Sequence, residues 1–332
     1  MQYIQNAKIL AHDEQMASWP LAKHEITPVT VEIQPTLRCQ LRCVYCEYRD
    51  RLGRREMDRD TFAAIHDALE AHGVKGIIYS GGGEPLLHPV FQTDLPWRSH
   101  GSGHPRYGLI TNGIALSGRV MEQAVDYATW IRISLDTVSP SLYRALKRAG
   151  TPDTPYANLR AACAYKAETG SDATIGAQIL LWKDTLDTAD ATLDALLALP
   201  VDYVQVRPRD YYDYDPGEMR SCQAWIESVR KQEPRIMPTK WECVQYRPRQ
   251  CHAIWWTGAI GVDAQWYLCC HHIYHKQYCY GPVLGRSWDA MLKARAECAR
   301  TLNLADCPPA CRGVTINSVI ERARDNPHKD FL

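Results

Sequence analysis

Short apolar runs and amphipathic stretches take turns along the first two-thirds of the chain. Runs at 29–35, 74–80, 106–111, 130–135, 174–181 and 201–207 are rich in β-branched, aromatic and other apolar residues and read as six strands. Between them, 58–72, 118–127, 139–147, 156–168 and 185–199 carry helical patterns, with Asp58 as an N-cap and Gly73 as a stop for the first. Strands alternating with helices imply a parallel sheet with the helices outside it. Six units fall short of a closed eight-stranded barrel, so the pattern predicts an α/β fold built as an open, curved (β/α)6 partial barrel. Parallel βα architectures place chemistry at the C-terminal strand ends. Here those ends carry Gly81, Asn112, Ser134, Asp136 and Arg207, a polar bias that suits a site.

The pattern changes after Pro208. Residues 209–216 are polar, aromatic and loop-like, 218–231 read as a helix, and from residue 241 onward the chain is dense in Cys, His and Trp. The expected division is an extension at 1–28, the barrel at 29–210, a linker and helix at 211–248, and a small Cys-rich α+β unit at 249–332. No internal repeat or low-complexity tract interrupts it.

Composition narrows the class. The 332 residues are 45% hydrophobic, enough for a sizeable core, and the formal net charge of +0 argues against nucleic acid or an anionic membrane as a partner. No uninterrupted apolar stretch is long enough to span a bilayer, and residues 1–16 lack a signal-peptide core, which predicts a cytoplasmic protein. In that reducing compartment thirteen cysteines read first as metal ligands or reactive thiols. Tyr (18) and Trp (10) far outnumber Phe (3), which suits a wet, polar cleft.

Cys39, Cys43 and Cys46 form a C-x3-C-x2-C motif in the loop after the first strand. A [4Fe–4S] cluster takes four ligands. Three thiolates leave one iron open to a substrate or cofactor, and no fourth Cys or His lies nearby to complete a zinc site. With Tyr45 before the last cysteine, and Gly81-Gly82-Gly83-Glu84-Pro85 after the second strand, the chain resembles the radical SAM superfamily over residues 29–208. The resemblance implies a partial TIM barrel in which the open iron chelates S-adenosylmethionine (SAM). One electron then splits its C5′–S bond to a hydrogen-abstracting 5′-deoxyadenosyl radical. It further implies that Gly81, Gly82, Gly83 and Glu84 contact the SAM amino group and that Tyr45 packs near adenine. Ser134, Asp136 and Gln178 match positions that meet the ribose or the methionyl carboxylate. A flavodoxin or ferredoxin-type protein would be the reductant.

Cys251, Cys269, Cys307 and Cys311 form a second set. Gly258 and Gly261 between the first two suggest a hairpin that brings Cys251 and Cys269 together, and the last pair follows a helix at 287–299. Four protein ligands close a cluster to substrate and leave it an electron carrier; zinc is the alternative occupant. The arrangement resembles the twitch form of the SPASM domain, which implies a second [4Fe–4S] cluster, although the last pair is C-x3-C where that family has C-x2-C.

Cys270, beside a ligand, is a candidate hydrogen-atom donor, a spare ligand or a packed small side chain; Cys279 is a rival donor. Cys163, Cys222, Cys243 and Cys298 read as structural. His252, His271, His272 and His275 cluster near the second set, with His271 a substrate-binding candidate. Asp210, Asp213 and Asp215, interleaved with Tyr211, Tyr212 and Tyr214, read either as a binder of ammonium groups or as a solvated loop. The chain as a whole resembles twitch-type enzymes of aminoglycoside and aminocyclitol pathways. That implies a small amino sugar or aminocyclitol substrate and C-epimerisation through Cys270. Alcohol dehydrogenation and peptide modification are the alternatives, the latter expected less because residues 1–28 are too few for a leader-recognition domain. An iron–sulfur sensor is also disfavoured, since no basic recognition helix is present.

Overall fold

A computed structural model describes residues 8, 11, 12, 26–97, 103–210, 212–239, 241 and 247–325. Ten strands form one sheet: β1 Thr30–Ile33, β2 Gly76–Tyr79, β3 Arg106–Thr111, β4 Ala128–Ser134, β5 Thr174–Leu180, β6 Tyr203–Arg207, β7 Ile236–Pro238, β8 Thr257–Ile260, β9 Gln265–Tyr267 and β10 Cys279–Pro282. Their order is β10-β9-β8-β1-β2-β3-β4-β5-β6-β7. The run from β8 to β7 is parallel throughout, and β9 and β10 add an antiparallel edge.

The six expected strands all form, and the barrel is open. The helices are α1 Arg59–Ala71, α2 Gly118–Tyr127, α3 Pro140–Lys147, α4 Asp153–Thr169, α5 Lys183–Leu186, α6 Ala189–Leu197, α7 Pro216–Arg230, α8 Trp288–Ala299 and α9 Val314–Asp325. Asp58 caps α1, its carboxylate accepting from the Thr61 amide at 2.9 Å. The single helix expected at 185–199 is two. Thr185 Oγ1 turns back to the Leu180 carbonyl at 2.8 Å, a side-chain bond that competes with helix continuation. Among the described residues no helix is long and apolar enough to cross a membrane.

The sheet crosses the boundaries expected at 210/211 and 248/249. β7 lies inside the segment expected to be linker and helix, and β8, from the Cys-rich unit, pairs with β1 in register Thr30↔Thr257 to Ile33↔Ile260. The physical reason is the open edge of β1: its backbone groups need a partner, and β8 supplies one. One hydrophobic cluster therefore runs from Ile26 to Ile320 without a break between units. Arg295 on α8, fully buried, donates to the carbonyls of Ile26 and Trp255 and fastens that helix to the approach to β1.

Strand residues alternate between the core and the barrel lumen. At the N-terminal end of the lumen, Trp130 lies over Gly108 and Tyr203 over Gly176, so close that a Cβ on either glycine would stand 2.3 Å and 2.5 Å from the rings. Trp130 forms part of the floor of the lumen, and the polar side chains of Arg132 and Ser134 follow it along β4. Gly108→Ala should thus overpack the floor and cost about 1–3 kcal/mol in urea unfolding. Gly53→Ala, whose new methyl meets nothing nearer than 4.0 Å, should stay within about 0.5 kcal/mol of the parent.

Candidate active site

The loop after β1 is closed at its base by the Thr36↔Glu56 bridge and by Leu37 N–H to the Arg55 carbonyl at 2.9 Å. Its far side is tied to the end of α3: Arg42 and Val44 donate to the carbonyls of Lys147 and Leu146 at 3.0 and 2.9 Å. Cys39, Cys43 and Cys46 open from this loop into a cavity of about 730 Å³. Burial pushes the Cys39 and Cys46 thiols up to about 12 and about 11, and raises Cys43 too. The Cys43 charge would raise both Cys39 and Cys46, so the three stand close together. Among the described residues no three His, Cys, Asp or Glu side chains converge tightly enough for a single metal ion. Three half-buried thiols spread around a void fit corners of a multi-iron cube instead.

The glycine run after β2 lies against this loop. Gly83 and Glu84 donate to the carbonyls of Thr36 and Arg38 at 2.8 and 2.7 Å, and a Cβ on Gly83 would sit 2.0 Å from the Arg38 oxygen. Gly81, Gly83 and Glu84 line the cavity, whereas Gly82 packs on Gln34 and Thr36 and does not. The Glu84 carboxyl, pushed up to about 7 by burial, accepts from Leu86 N at 3.2 Å, Thr111 Oγ1 at 2.6 Å and Asn112 N at 2.7 Å. It braces the end of β3.

Asp136 has a similar role. It takes the left-handed conformation (φ 67°), accepts from Leu180 N at 3.0 Å, from Lys147 Nζ at 2.5 Å and from the Tyr45 hydroxyl. Lys147 and Asp136 are 2% and 1% exposed, a fully buried ion pair. Tyr45 meets Trp182 edge-on at 5.6 Å. Ser134 and Gln178 line the cavity at the same level, Gln178 accepting from Arg207 Nε at 2.9 Å.

The second set, Cys251, Cys269, Cys307 and Cys311, lines the same cavity. Cys251 feels the charge of Cys311, and Cys269 and Cys307 feel those of both Cys311 and Cys251. Asn317 on α9 accepts from the His252 and Ala253 amides at 2.7 and 2.9 Å and holds the segment bearing Cys251. His272 Nε2 lies 3.6 Å from Cys307, and burial pushes its imidazole down to about 4, neutral at pH 7. Four mutually close thiols fit a closed cluster.

The two sets are bound to each other. Glu47, next to Cys46, faces His271 at 3.2 Å; Tyr48 donates to the Cys270 carbonyl at 2.5 Å; Arg51 donates to the Ile273 carbonyl at 2.7 Å. Cys270 lines the cavity, and its sulfur accepts from Arg312 Nε at 3.0 Å while Arg312 Nη2 pairs with Glu32 of β1.

The ammonium-binding group expected past β6 does not assemble. Both Asp210 oxygens take Arg207 Nη1 at 2.8 Å, the Tyr212 hydroxyl donates to Glu218 at 3.1 Å, and Asp213 is exposed outside the cavity. Asp215 is the N-cap of α7. Tyr211 and Cys243 lie outside the described residues. Asp210 and His271 do line the cavity; Cys279, the rival donor, does not. Glu32, Glu47, Arg132, Lys147 and Arg312 went unforeseen, whereas Arg207 stands at the strand end where a site was expected. Polar residues at every second position of β4, β5 and β6 were the available signal for the lumen.

Residues 33–196 match the Radical SAM superfamily model. The chain is 32% identical over 135 residues to a probable GTP 3′,8-cyclase of Methanopyrus kandleri, covering 40% of this chain and 43% of that protein. It is 27% identical over 212 residues to GTP 3′,8-cyclase 1 of Mycobacterium tuberculosis, covering 60% and 58%. It is 27% identical over 198 residues to the PqqA peptide cyclase of Streptomyces rochei, covering 56% and 50%. The chain thus spans about half the length of these curated relatives. In fold it is similar to Streptococcus suis SuiB bound to S-adenosylmethionine (TM-score 0.62, 15% identity, 82% of this chain and 67% of that one). It is also similar to anSMEcpe with bound AdoMet and a Kp18Cys peptide (TM-score 0.62, 12% identity, 90% and 97%).

Lys147→Met leaves Asp136 buried without its cation and should cost about 3–5 kcal/mol in urea unfolding. The double change Asp136→Asn with Lys147→Met removes both charges and should cost clearly less than the single one.

Proposed function

We propose that this chain, whose residues 33–196 match the Radical SAM superfamily model, is a radical SAM enzyme that abstracts a hydrogen atom from a substrate held in the lumen between its two cysteine sets and completes an oxidation there. The observation that carries the reading is the shared cavity: Cys39, Cys43 and Cys46 line it together with Cys251, Cys269, Cys307 and Cys311. When bound, a [4Fe–4S] cluster on the first three thiolates supplies an open iron for SAM and the electron that splits its C5′–S bond, and a cluster on the other four supplies an electron sink. The chain's own residues do the rest. Asp136, through Lys147 and Tyr45, fixes the first loop to the barrel rim. Gly81 and Gly83 keep the backbone near that loop open to SAM, with Ser134 and Gln178 at ribose and carboxylate level. Trp130 lines the floor of the cavity.

A second reading, epimerisation, is favoured by one observation. Cys270 is the one cysteine outside the two ligand sets that lines the cavity among the described residues. Oxidation is preferred because the Cys270 sulfur accepts a hydrogen bond from the Arg312 guanidinium, which favours the thiolate, and a thiolate has no hydrogen atom to give. The likeness to a PqqA peptide cyclase supports a peptide side chain as well as a small molecule as the substrate class. A flavodoxin or ferredoxin-type protein is the reductant this chemistry calls for.

The anaerobically reconstituted protein should convert SAM to 5′-deoxyadenosine when reduced. Cys43→Ala should abolish this, and Cys251→Ala should retain SAM cleavage while losing product. With aminocyclitols, nucleotides and peptides offered in D2O, a product lighter by about 2 Da supports oxidation. A gain of about 1 Da that vanishes in Cys270→Ala would replace it with epimerisation. No 5′-deoxyadenosine from the reduced, cluster-loaded protein would overturn both.

A further inference from the structure

The charges around the cavity do not balance as an amino sugar would require. Five carboxylates line it: Glu32, Glu47, Glu84, Asp136 and Asp210. Four of them face a cation of the protein: Arg312, His271, Lys147 and Arg207 respectively. Glu84 is the fifth, buried and engaged by two amides and a hydroxyl. Among the described residues, each lining carboxylate already has partners within the protein.

Arg132 is the converse case. It sits on β4 between Trp130 of the floor and Ser134 of the SAM level, all three lining the cavity. At about 3.3 Å per residue, it stands roughly 7 Å below Ser134 along the strand. Its guanidinium carbon lies 5.5 Å from the centre of the Trp130 ring. Its Nε is buried without a hydrogen bond. The acidic groups that act on it are Tyr203 and, less strongly, Glu32, whose oxygens are already engaged: Oε1 accepts from Ser80 at 3.0 Å and Oε2 pairs with Arg312. Burial brings the Arg132 guanidinium down to about 10, still charged at pH 7. Gln205 on β6, also lining the cavity, has a buried Oε1 without a donor.

We infer that Arg132 is the substrate-anchoring residue of this cavity, and that the substrate bears an oxyanion, a carboxylate or phosphate, which the Arg132 fork grips one layer below SAM. A planar guanidinium with free N–H groups matches such an oxyanion in two parallel hydrogen bonds. The anchored end lies toward the floor, and the carbon to be attacked points up toward the SAM level. Gln205 Oε1 then accepts from a hydroxyl or N–H of the same molecule. This rests on the proposed reading of the cavity as the substrate site, and it replaces the cationic substrate expected from sequence with an anionic one.

The test uses the anaerobically reconstituted protein with SAM bound, titrated calorimetrically with inorganic phosphate and, separately, acetate; glucosamine is the cationic control. One of the two anions should bind saturably and glucosamine should not. Arg132→Gln should weaken that binding at least about tenfold, and the anion that binds identifies the group. Should that variant fail to fold, wild-type protein decides. Phenylglyoxal labelling, read by peptide mass, should show Arg132 protected by the binding anion while exposed Arg119 is labelled as before. Absence of saturable binding by either anion, binding undiminished in a folded Arg132→Gln, or no protection of Arg132 would overturn the inference. SAM cleavage, measured separately, tells the two claims apart. Intact cleavage without anion binding removes the anchor alone, and anion binding without cleavage removes the proposed reaction.

Discussion

The buried ion pair between Asp136 and Lys147 is the contact on which the site's architecture depends. Asp136 sits just past β4 and binds Leu180 of β5 through one oxygen, Lys147 and Tyr45 through the other. Lys147 ends α3, whose last carbonyls take the amides of Arg42 and Val44 in the cysteine loop. Two strand ends, one helix and the loop are thus joined through a single carboxylate. A buried pair is not in itself a strong source of stability, because removing two charges from water is costly. Its value lies in geometry. Only one arrangement satisfies both charges, so the loop has only one place to stand.

A related constraint governs the lumen. A barrel interior lined by charged and amide side chains costs desolvation unless each group finds a partner. Most do, through Glu32–Arg312, Glu47–His271 and Gln178–Arg207–Asp210. Three of these links also join different parts of the chain: β1 to the last cysteine pair, the first cysteine loop to the second set, and β5 to the loop past β6. Electrostatic satisfaction and the mutual placement of the two cysteine sets are therefore the same set of contacts. Against that background the buried Nε of Arg132, without a hydrogen bond, is informative.

What could be read from sequence was local. The C-x3-C-x2-C spacing, the glycine run and the strand–helix alternation are short-range patterns, and each lies where its spacing implies. The hairpin around Gly258 and Gly261 was legible and forms as β8 and β9, but β7 and the pairing of β8 with β1 were not. β7 and β8 are each only three or four residues long, and β8 becomes a strand because β1, more than two hundred residues earlier, has an edge to fill. The roles of Glu84 and Asp136 were half-legible: their positions at strand ends were clear, but not that their oxygens would be occupied by neighbouring strands. The Asp–Tyr loop past β6 misled because composition shows which groups are present and not whether they are already taken. Arg207 takes Asp210, and Asp215 is used to cap α7.

The continuity of the sheet decides how the second cysteine set relates to the first. If the Cys-rich unit were attached by a linker alone, the distance between the two sets would vary with hinge motion. Here β8 is hydrogen-bonded to β1 along all four of its residues, β9 continues from β8, and Cys269 follows two residues beyond β9. The first set follows β1, six residues past Ile33. Both sets thus leave strands of one sheet, β1 and the antiparallel β9 two places along it, and Glu47–His271 and Tyr48–Cys270 link the two segments directly. Two sets held at both ends define a chamber of set width, so selectivity has to come from what lines it rather than from closure around the substrate. That places the discriminating groups on the strands themselves, where alternation turns every second side chain into the lumen, and makes rigid residues such as Trp130, Arg132 and Gln205 better suited to the task than the loop past β6.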